Sequence, residues 1–195
     1  MTTADDSNLA LKEWSIAVEA LAQGEQILIL RKGGIREKEK DFKIIHPEFL
    51  LYPTYEHQNS DLIKPRYSTL LQNSYTRNHP PGFISLDYWC RVTDKIEVRS
   101  EDNLRQLSPF HIWTHEYANK RLRWKPLQPL TVLLLRVYKL KETKVLCILD
   151  DYAGCKSWVN LIKDMDLAGM KPVLTDSEYV RQSSLIIKSV RTIPY

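Results

Sequence analysis

The sequence has no long apolar run, no export signal and only three cysteines. Its longest apolar stretches, residues 27–30 and 131–135, are far shorter than the roughly 20 residues that a membrane-spanning helix needs. The first residues, MTTADDSN, are polar and acidic, whereas an export signal has a basic region followed by an apolar one. The cysteines form no C-x-x-C pair and fit free thiols in a reducing compartment. We therefore expect a cytoplasmic protein that does not associate with a membrane.

Internal repeats and low-complexity tracts are also absent from the sequence, which argues against a repeat array or tethered domains. The length of 195 residues, 43% of them hydrophobic and 27% charged, is ordinary for one globular domain. We predict a flexible leader over residues 1–8 and a single domain over residues 9–195, with possible sub-lobes at 9–82 and 83–195. The formal net charge of +4 permits contact with nucleic acid but does not require it.

Hydrophobic periodicity predicts an α+β domain in which helices pack on a mixed or antiparallel sheet. Strands are expected over residues 27–30, 49–52, 83–98 and 130–140, the third of them half-buried, with 144–149 as the hairpin partner of the fourth. Helical spacing and capping signals predict helices over residues 9–22, 67–73, 109–120, 156–164 and 176–190. Gly24 is expected to end the first helix, and Pro53 to end the second strand.

A basic turn follows the first predicted strand. It consists of Arg31, Lys32, Gly33 and Gly34. Two glycines would let backbone N–H groups approach an anion while the basic pair supplies charge, so a phosphate or a nucleic-acid backbone is a natural ligand. The turn lacks the G-x-x-x-x-G-K-S/T signature, however, and an ordinary exposed turn has the same composition.

A second candidate site follows the second predicted strand. It contains Tyr52, Thr54, His57 and Gln58. Functional groups often lie at the ends of strands, so these residues are candidates for a ligand pocket, with His57 as the candidate catalytic residue. Equally, Tyr52 could pack in the core while His57 and Gln58 fix the loop by hydrogen bonds.

A third candidate combines cations with an aromatic ring. Arg121, Arg123, Trp124 and Lys125 have the residue types that contact a nucleic-acid backbone. Cations are also favoured at the C-terminus of a helix by the helix dipole, which explains the same residues without a ligand.

Signals for metal or thiol chemistry are weak. His111 and His115 have helical i, i+4 spacing, but H-I-W-T-H lacks the glutamate of H-E-x-x-H, and a surface pair is the expected arrangement. Cys155 precedes a predicted helix, yet no base can be assigned to it, and a packing role is favoured. We therefore predict no metal site and no cofactor.

Four segments, in this order, resemble the bacterial family called domain of unknown function 1802: LKEWSIAVEALAQGEQILILRKGGIRE, FLLYPTYEHQ, HIWTHEYANKRLRWKPLQPLTVLLLRVYKL and YAGCKSWVNL. Members of that family are fused to a restriction-endonuclease-like domain, and the resemblance therefore implies a link to restriction-modification or related DNA transactions. A nuclease would hold a metal ion with acidic residues beside a lysine. The nearest arrangement is Asp87 with Glu97, and Arg99 stands where the lysine is expected.

These observations lead to one preferred function and two alternatives. The preferred function is an accessory module that binds nucleic acid or another polyanion through the basic turn at residues 31–34 together with Arg121, Arg123 and Lys125. The first alternative is an enzyme with its pocket around residues 52–58. The second is a protein-interaction scaffold, because the chain has five tryptophans and ten tyrosines. The proposed sites require the basic turn and residues 52–58 to open onto a common hollow.

Overall fold

Seven strands form one mixed sheet in the computed structural model, which describes residues 8–32, 44, 46–56, 58–75, 80–154, 156–162 and 165–191. The strands within these residues are β1 (Leu9–Trp14), β2 (Leu28–Arg31), β3 (Glu48–Thr54), β4 (Phe83–Val98), β5 (Leu130–Cys147), β6 (Trp158–Asn160) and β7 (Lys171–Pro172). Their order is β2-β5-β4-β3-β1-β6, and β7 pairs with β5. Strands β1 and β3 run parallel, and the other pairs are antiparallel.

Five helices of the described residues pack on this sheet. They are α1 (Ser15–Ala22), α2 (Ser68–Tyr75), α3 (Glu101–Leu107), α4 (His115–Arg123) and α5 (Asp176–Arg191). Each helix adds buried side chains to one large core cluster that also includes Leu11, Leu51 and Leu133 from the strands. A smaller cluster includes Leu50, Trp89 and Tyr152. Side chains alternate between the two faces of a strand, so neighbours such as Leu50 and Leu51 belong to different clusters.

The predicted α+β class, with helices packed on a mixed sheet, is confirmed. The sheet draws on both halves of the chain, because β3 pairs with β4 from Glu48↔Arg91 to Leu50↔Trp89. No helix in the part of the chain that the structure describes is long and apolar enough to cross a membrane. Residues 1–7 of the predicted leader lie outside the described residues.

Several predicted elements are confirmed closely. Strand β2 and the long helix α5 fall where they were expected, and β4 has the predicted bounds. Gly24 follows the end of α1 and adopts a positive φ of 71°, a conformation that glycine reaches without steric cost.

The helix predicted over residues 9–22 is wrong in its first half. Residues 9–14 form β1, which pairs with β3 on one side and with β6 on the other. Leu11 and Trp14 are at helical spacing from Val18 and Leu21, and this spacing concealed the strand. Hydrogen bonds to two neighbouring strands outweigh a weak local preference for helix in these residues.

Pro53 does not end β3, which continues to Thr54. Strand β4 pairs with β3 only as far as Leu50, so beyond that residue β3 has a free side toward β4. A proline is tolerated where its missing N–H faces no partner strand.

The half-buried character predicted for β4 applies only to its second part. Ser85 and Trp89, on the face predicted to be polar, are 3% and 2% exposed. Trp89 is covered because the segment around Tyr152 and Leu161 packs a second layer on its side of the sheet. The register irregularity after Leu86 places Ile84 and Leu86 on that same side, so Ser85 faces the other side.

The predicted hairpin between residues 130–140 and 144–149 is wrong, because β5 is one continuous strand of 18 residues. Strand β4 pairs with it from Phe83↔Cys147 to Val98↔Leu130, with two register irregularities. Residues 141–143, which separate the two predicted strands, are an exposed part of β5. They lie in a register irregularity, between Lys139, which pairs with Tyr88, and Lys144, which pairs with Leu86.

Two predicted helices were misplaced. Residues 108–110 form a short 3-10 turn between α3 and α4, and each helix begins at its own hydroxyl cap. Ser100 accepts a hydrogen bond from Asn103 N, and Thr114 accepts one from Tyr117 N. The helix predicted over residues 156–164 is wrong, because residues 158–160 form β6, an edge strand paired with β1. Residues 163 and 164 of that range lie outside the described residues.

Candidate functional site

A hollow of about 200 Å³ lies at the carboxyl ends of the parallel strands β1 and β3. These strands end side by side, with Trp14 opposite Thr54. The end of β2, one face of α4 and the segment before β6 complete the wall. We call this the strand-end hollow. Ligands of sheets that contain parallel strands often bind beyond the carboxyl ends of those strands.

A buried ion pair joins two distant parts of the sheet at this hollow. Strands β1 and β2 are four positions apart in the strand order, yet Arg31 Nη1 lies 3.2 Å from Glu13 Oε2, and the two side chains are 10% and 8% exposed. Arg31 also donates a hydrogen bond to Lys12 O at 3.1 Å. The sheet therefore curls until the end of β2 meets the end of β1, and the charge of Arg31 is already balanced.

Other hydrogen bonds hold Glu13 and its strand in place. Its second carboxylate oxygen, Oε1, accepts from Trp14 N at 2.9 Å, and its backbone carbonyl accepts from Thr54 Oγ1 at 3.2 Å. Buried charges need such additional bonds, because each one loses its hydration on folding. Glu13 is consequently a structural anchor of the hollow.

Lys12 binds the backbone of the segment that precedes β6. Its ammonium donates to the carbonyl oxygens of Tyr152 and Gly154, the latter at 3.1 Å. Gly154 has a φ of 80°, which a side chain would strain. Next to it, the exposed Lys156 donates to Asp151 O at 3.4 Å. This segment thus brings a second basic residue to the rim of the hollow.

Arg121 has no acidic partner among the described residues. Its Nε atom is buried without a hydrogen-bond partner, and its guanidinium carbon lies 5.7 Å from the ring centroid of Tyr117. Burial, followed by the nearby charge of Arg121, lowers the pKa of Lys32. Two cations therefore lie close together at this end of α4, since Lys32 also donates to the carbonyl oxygen of Leu122, the residue after Arg121.

A row of aromatic rings leads from the core to the hollow. The rings of Trp113 and Tyr117 stack with centroids 6.2 Å apart, and those of Tyr117 and Trp14 are 5.1 Å apart. Burial is the main cause that raises the pKa of Tyr117, so this hydroxyl remains protonated at neutral pH. Trp14 and Tyr117 both line the hollow, and Trp14, at the end of the row, offers the ring of a ligand a surface to stack on.

A family model describes residues 10–184 of the chain as domain of unknown function 1802. The chain belongs to this family. A search of curated proteins found no match. Among solved structures, the crystal structure of a mutant of ZmASCH from Zymomonas mobilis has 11% sequence identity and a TM-score of 0.42, over 93% of this chain and 97% of that chain. At that TM-score the likeness bears on neither fold nor function.

In this member of the domain of unknown function 1802 family, the hollow brings together one residue from each candidate site. Arg31 comes from the basic turn, Thr54 from residues 52–58 and Arg121 from the third candidate. They are up to 90 positions apart in sequence. Gly33, Gly34 and His57 lie outside the described residues.

Lys32, Gln58 and Tyr52 have contacts that explain their presence without a ligand. Lys32 Nζ donates to Leu122 O at 2.6 Å and to Gln128 O at 2.8 Å, so it stabilises the carboxyl end of α4. Gln58 Oε1 accepts from Ile16 N at 2.8 Å and caps α1. Tyr52 is buried against Tyr152, and burial is the main cause that raises its pKa to about 12.

The remaining residues of the third candidate do not line the hollow. Arg123 Nε donates to Glu101 Oε1 at 2.9 Å, which ties α4 to α3. The ammonium of Lys125 lies 4.7 Å from the centroid of the Trp124 ring. Side chains that are two positions apart in a helix point to nearly opposite sides. Arg121 and Arg123 therefore have different surroundings.

Sequence reasoning missed Trp14, Tyr117 and Lys156 as site residues. Trp14 was assigned to the middle of the predicted helix over residues 9–22, where its side chain would be expected to pack in the core. The usable signal was the pattern of Lys12, Glu13 and Trp14 directly after three apolar residues, since polar groups at the end of a short strand often face a site.

His111 is not part of a surface pair, because it is 1% exposed and its ring packs 5.6 Å from that of Trp113. The preceding 3-10 turn directs it into the core, whereas His115 is exposed at the start of α4. Within the described ranges, the acidic, histidine and cysteine residues form no group of three that could hold a metal ion.

Two other surfaces are less suited to an anion. A hollow of about 490 Å³ beside α2 contains Arg66, but that guanidinium already donates to Tyr67 OH at 2.9 Å and lies over the Tyr67 ring. An apolar surface at the far end of β4 and β5 includes Val145 and Ile162, which are 55% and 74% exposed. The scaffold alternative would use this second surface, and it stays a prediction.

Proposed function

We propose that this domain binds nucleic acid at the strand-end hollow, with Arg121 as the main contact to a phosphate. The supporting observation is that Arg121, half-buried beside Tyr117, has no acidic partner within the described part of the chain. A guanidinium held near a low-dielectric surface interacts with a phosphate more strongly than one in bulk water.

The other charges at the hollow are consistent with this role. Arg31 is balanced by Glu13, whereas Lys156 at the rim donates to a backbone carbonyl, that of Asp151. The exposed Glu56 is the second acidic side chain at the wall. The positive charge is thus local and limited, which suits one or two phosphate contacts better than the coating of a long duplex.

Replacing Arg121 with glutamine is expected to weaken binding of a short oligonucleotide about tenfold, because one charged contact to phosphate is lost. The slope of log affinity against log salt should become shallower by about 0.7 to 1, the value for one phosphate contact. Fluorescence anisotropy of labelled DNA and RNA at several salt concentrations measures both quantities.

Arg123→Gln is the matched control, because Arg123 lies two residues away on the same helix and pairs with Glu101. It should leave affinity within about twofold. Equal losses in the two variants, or an affinity indifferent to salt, would show that the hollow does not bind a phosphate backbone. Competition by inorganic polyphosphate at equal phosphate concentration would instead indicate a general polyanion site.

The cytoplasm remains the proposed location. Cys90 is buried and Cys147 is exposed, and both are free thiols, as expected in a reducing compartment. A link to restriction-modification or related DNA transactions also remains a proposal. The enzyme alternative now rests on Thr54 and His57, because the contacts of Tyr52 and Gln58 are structural.

A further inference from the structure

We propose that the strand-end hollow accepts a single unpaired nucleotide, with its phosphate on Arg121 and its base against Trp14, so that the domain prefers single strands to duplex. This inference rests on the proposed function and specifies its ligand. It depends on the size of the hollow and on the position of the aromatic row.

The size of the hollow limits what can enter. Sites that enclose a drug-sized molecule have volumes of roughly 300 to 1,000 Å³, whereas this hollow has about 200 Å³. One base fits such a space with its phosphate at the mouth, but a double helix can only lie across the rim. A duplex can therefore contact Lys156 at the rim, but it cannot place a base inside the hollow.

The aromatic row gives the base a surface. Trp14 lies at the end of the row, after Trp113 and Tyr117, and Tyr117 is packed between the other two rings. Arg121 lies four residues after Tyr117, on the same face of α4, and its guanidinium is 5.7 Å from the Tyr117 centroid. A cation and a stacking ring at adjacent positions match the spacing of a phosphate and its own base.

The polar wall suits a nucleotide better than a chain of phosphates. Thr54 and Ser157 supply hydroxyl groups, and Glu56 supplies an acceptor that would repel a second phosphate. The edge of a base carries both donors and acceptors, so it can use these groups.

The test compares three ligands at one salt concentration: a single strand of about 12 nucleotides, its blunt duplex, and the same strand without bases, with lengths chosen from known single-strand site sizes. We expect the single strand to bind about tenfold more tightly than either of the others. Trp14→Leu should weaken binding of the normal strand about tenfold and leave the abasic strand unchanged, because only a base stacks on the ring. Trp14→Phe should retain most of the affinity.

A purely structural role of Trp14 would weaken all three ligands equally in Trp14→Leu, and that result would overturn the inference. If Trp14→Leu does not fold, the abasic and duplex ligands on the unaltered protein decide the matter. Equal, salt-dependent binding of all three ligands would refute the single-nucleotide inference but leave phosphate binding intact. If none of the three ligands shows salt-dependent binding, the proposed function itself is refuted.

Discussion

Replacing Arg31 with methionine is expected to lower the free energy of unfolding by about 3 to 5 kcal/mol. The change leaves Glu13, which is 8% exposed, without its ion-pair partner in a site that water hardly reaches. It also removes the hydrogen bond from Arg31 to Lys12 O, which connects the end of β2 with β1. Urea denaturation at pH 7 without ligand measures the change.

Two further variants distinguish the effect of breaking the buried Arg31–Glu13 pair from the effect of removing an arginine charge in general. The double variant Glu13→Gln with Arg31→Met should recover part of the lost stability, because no unpaired charge remains inside. Arg91→Met removes an exposed pair with Glu48, in which the arginine side chain is 52% exposed, and should cost under about 1 kcal/mol. If Arg31→Met lowers the free energy of unfolding no more than Arg91→Met does, the Arg31–Glu13 pair does not hold the ends of β1 and β2 together.

Acidification from pH 7 to pH 4.5 is expected to cost about 2 to 3 kcal/mol of stability through His111 alone. Burial, and then the charge of Lys64, lowers the pKa of this histidine from 6.5 to about 3, with a smaller contribution from Arg66. The unfolded chain takes up a proton near pH 6.5, but the folded chain does so only near pH 3. Between these values the unfolded state binds more protons, so stability falls as the pH falls.

The comparison of pH dependences isolates this contribution. The His111→Gln variant cannot take up the proton at this position. Its loss of stability between pH 7 and pH 4.5 should therefore be smaller by about 2 to 3 kcal/mol than that of the unaltered protein. His115→Gln, at an exposed position, should keep the dependence of the unaltered protein. Chemical denaturation at both pH values gives these differences. Equal pH dependences of all three proteins would contradict the prediction, because His111 would then take up its proton over the same pH range in the folded and unfolded states.

The elements predicted well are those with one dominant local signal. Strand β2 is a continuous apolar run, α5 has a clear amphipathic period, and β4 starts and ends where its alternation does. The errors occur where pairing with distant strands decides the structure. Residues 9–14 have a helical spacing but pair with β3 and β6. Strand β5 continues past residue 140 because β4 pairs with it again from Lys144 to Cys147.

The sequence indicated only some residues of the candidate site, and it did not indicate their arrangement. Arg31 and Arg121 were suggested by local basic clusters and Thr54 by its place after a strand, yet their meeting in one hollow depends on the curl of the sheet. The neighbours within each cluster could not be separated either. Lys32 and Arg123 have the same chemistry as Arg31 and Arg121, and only the fold shows that Lys32 binds backbone carbonyls and that Arg123 pairs with Glu101.

Photocrosslinking tests the location of the proposed site most directly. A single strand that carries 5-iodouracil would be irradiated in complex with the protein, and the crosslinked residues would be identified by mass spectrometry. The proposed site predicts crosslinks at Trp14 and Tyr117 that are reduced in Arg121→Gln and unchanged in Arg123→Gln. Crosslinks confined to another basic surface, such as the exposed Lys139 and Lys141 of β5, would contradict it.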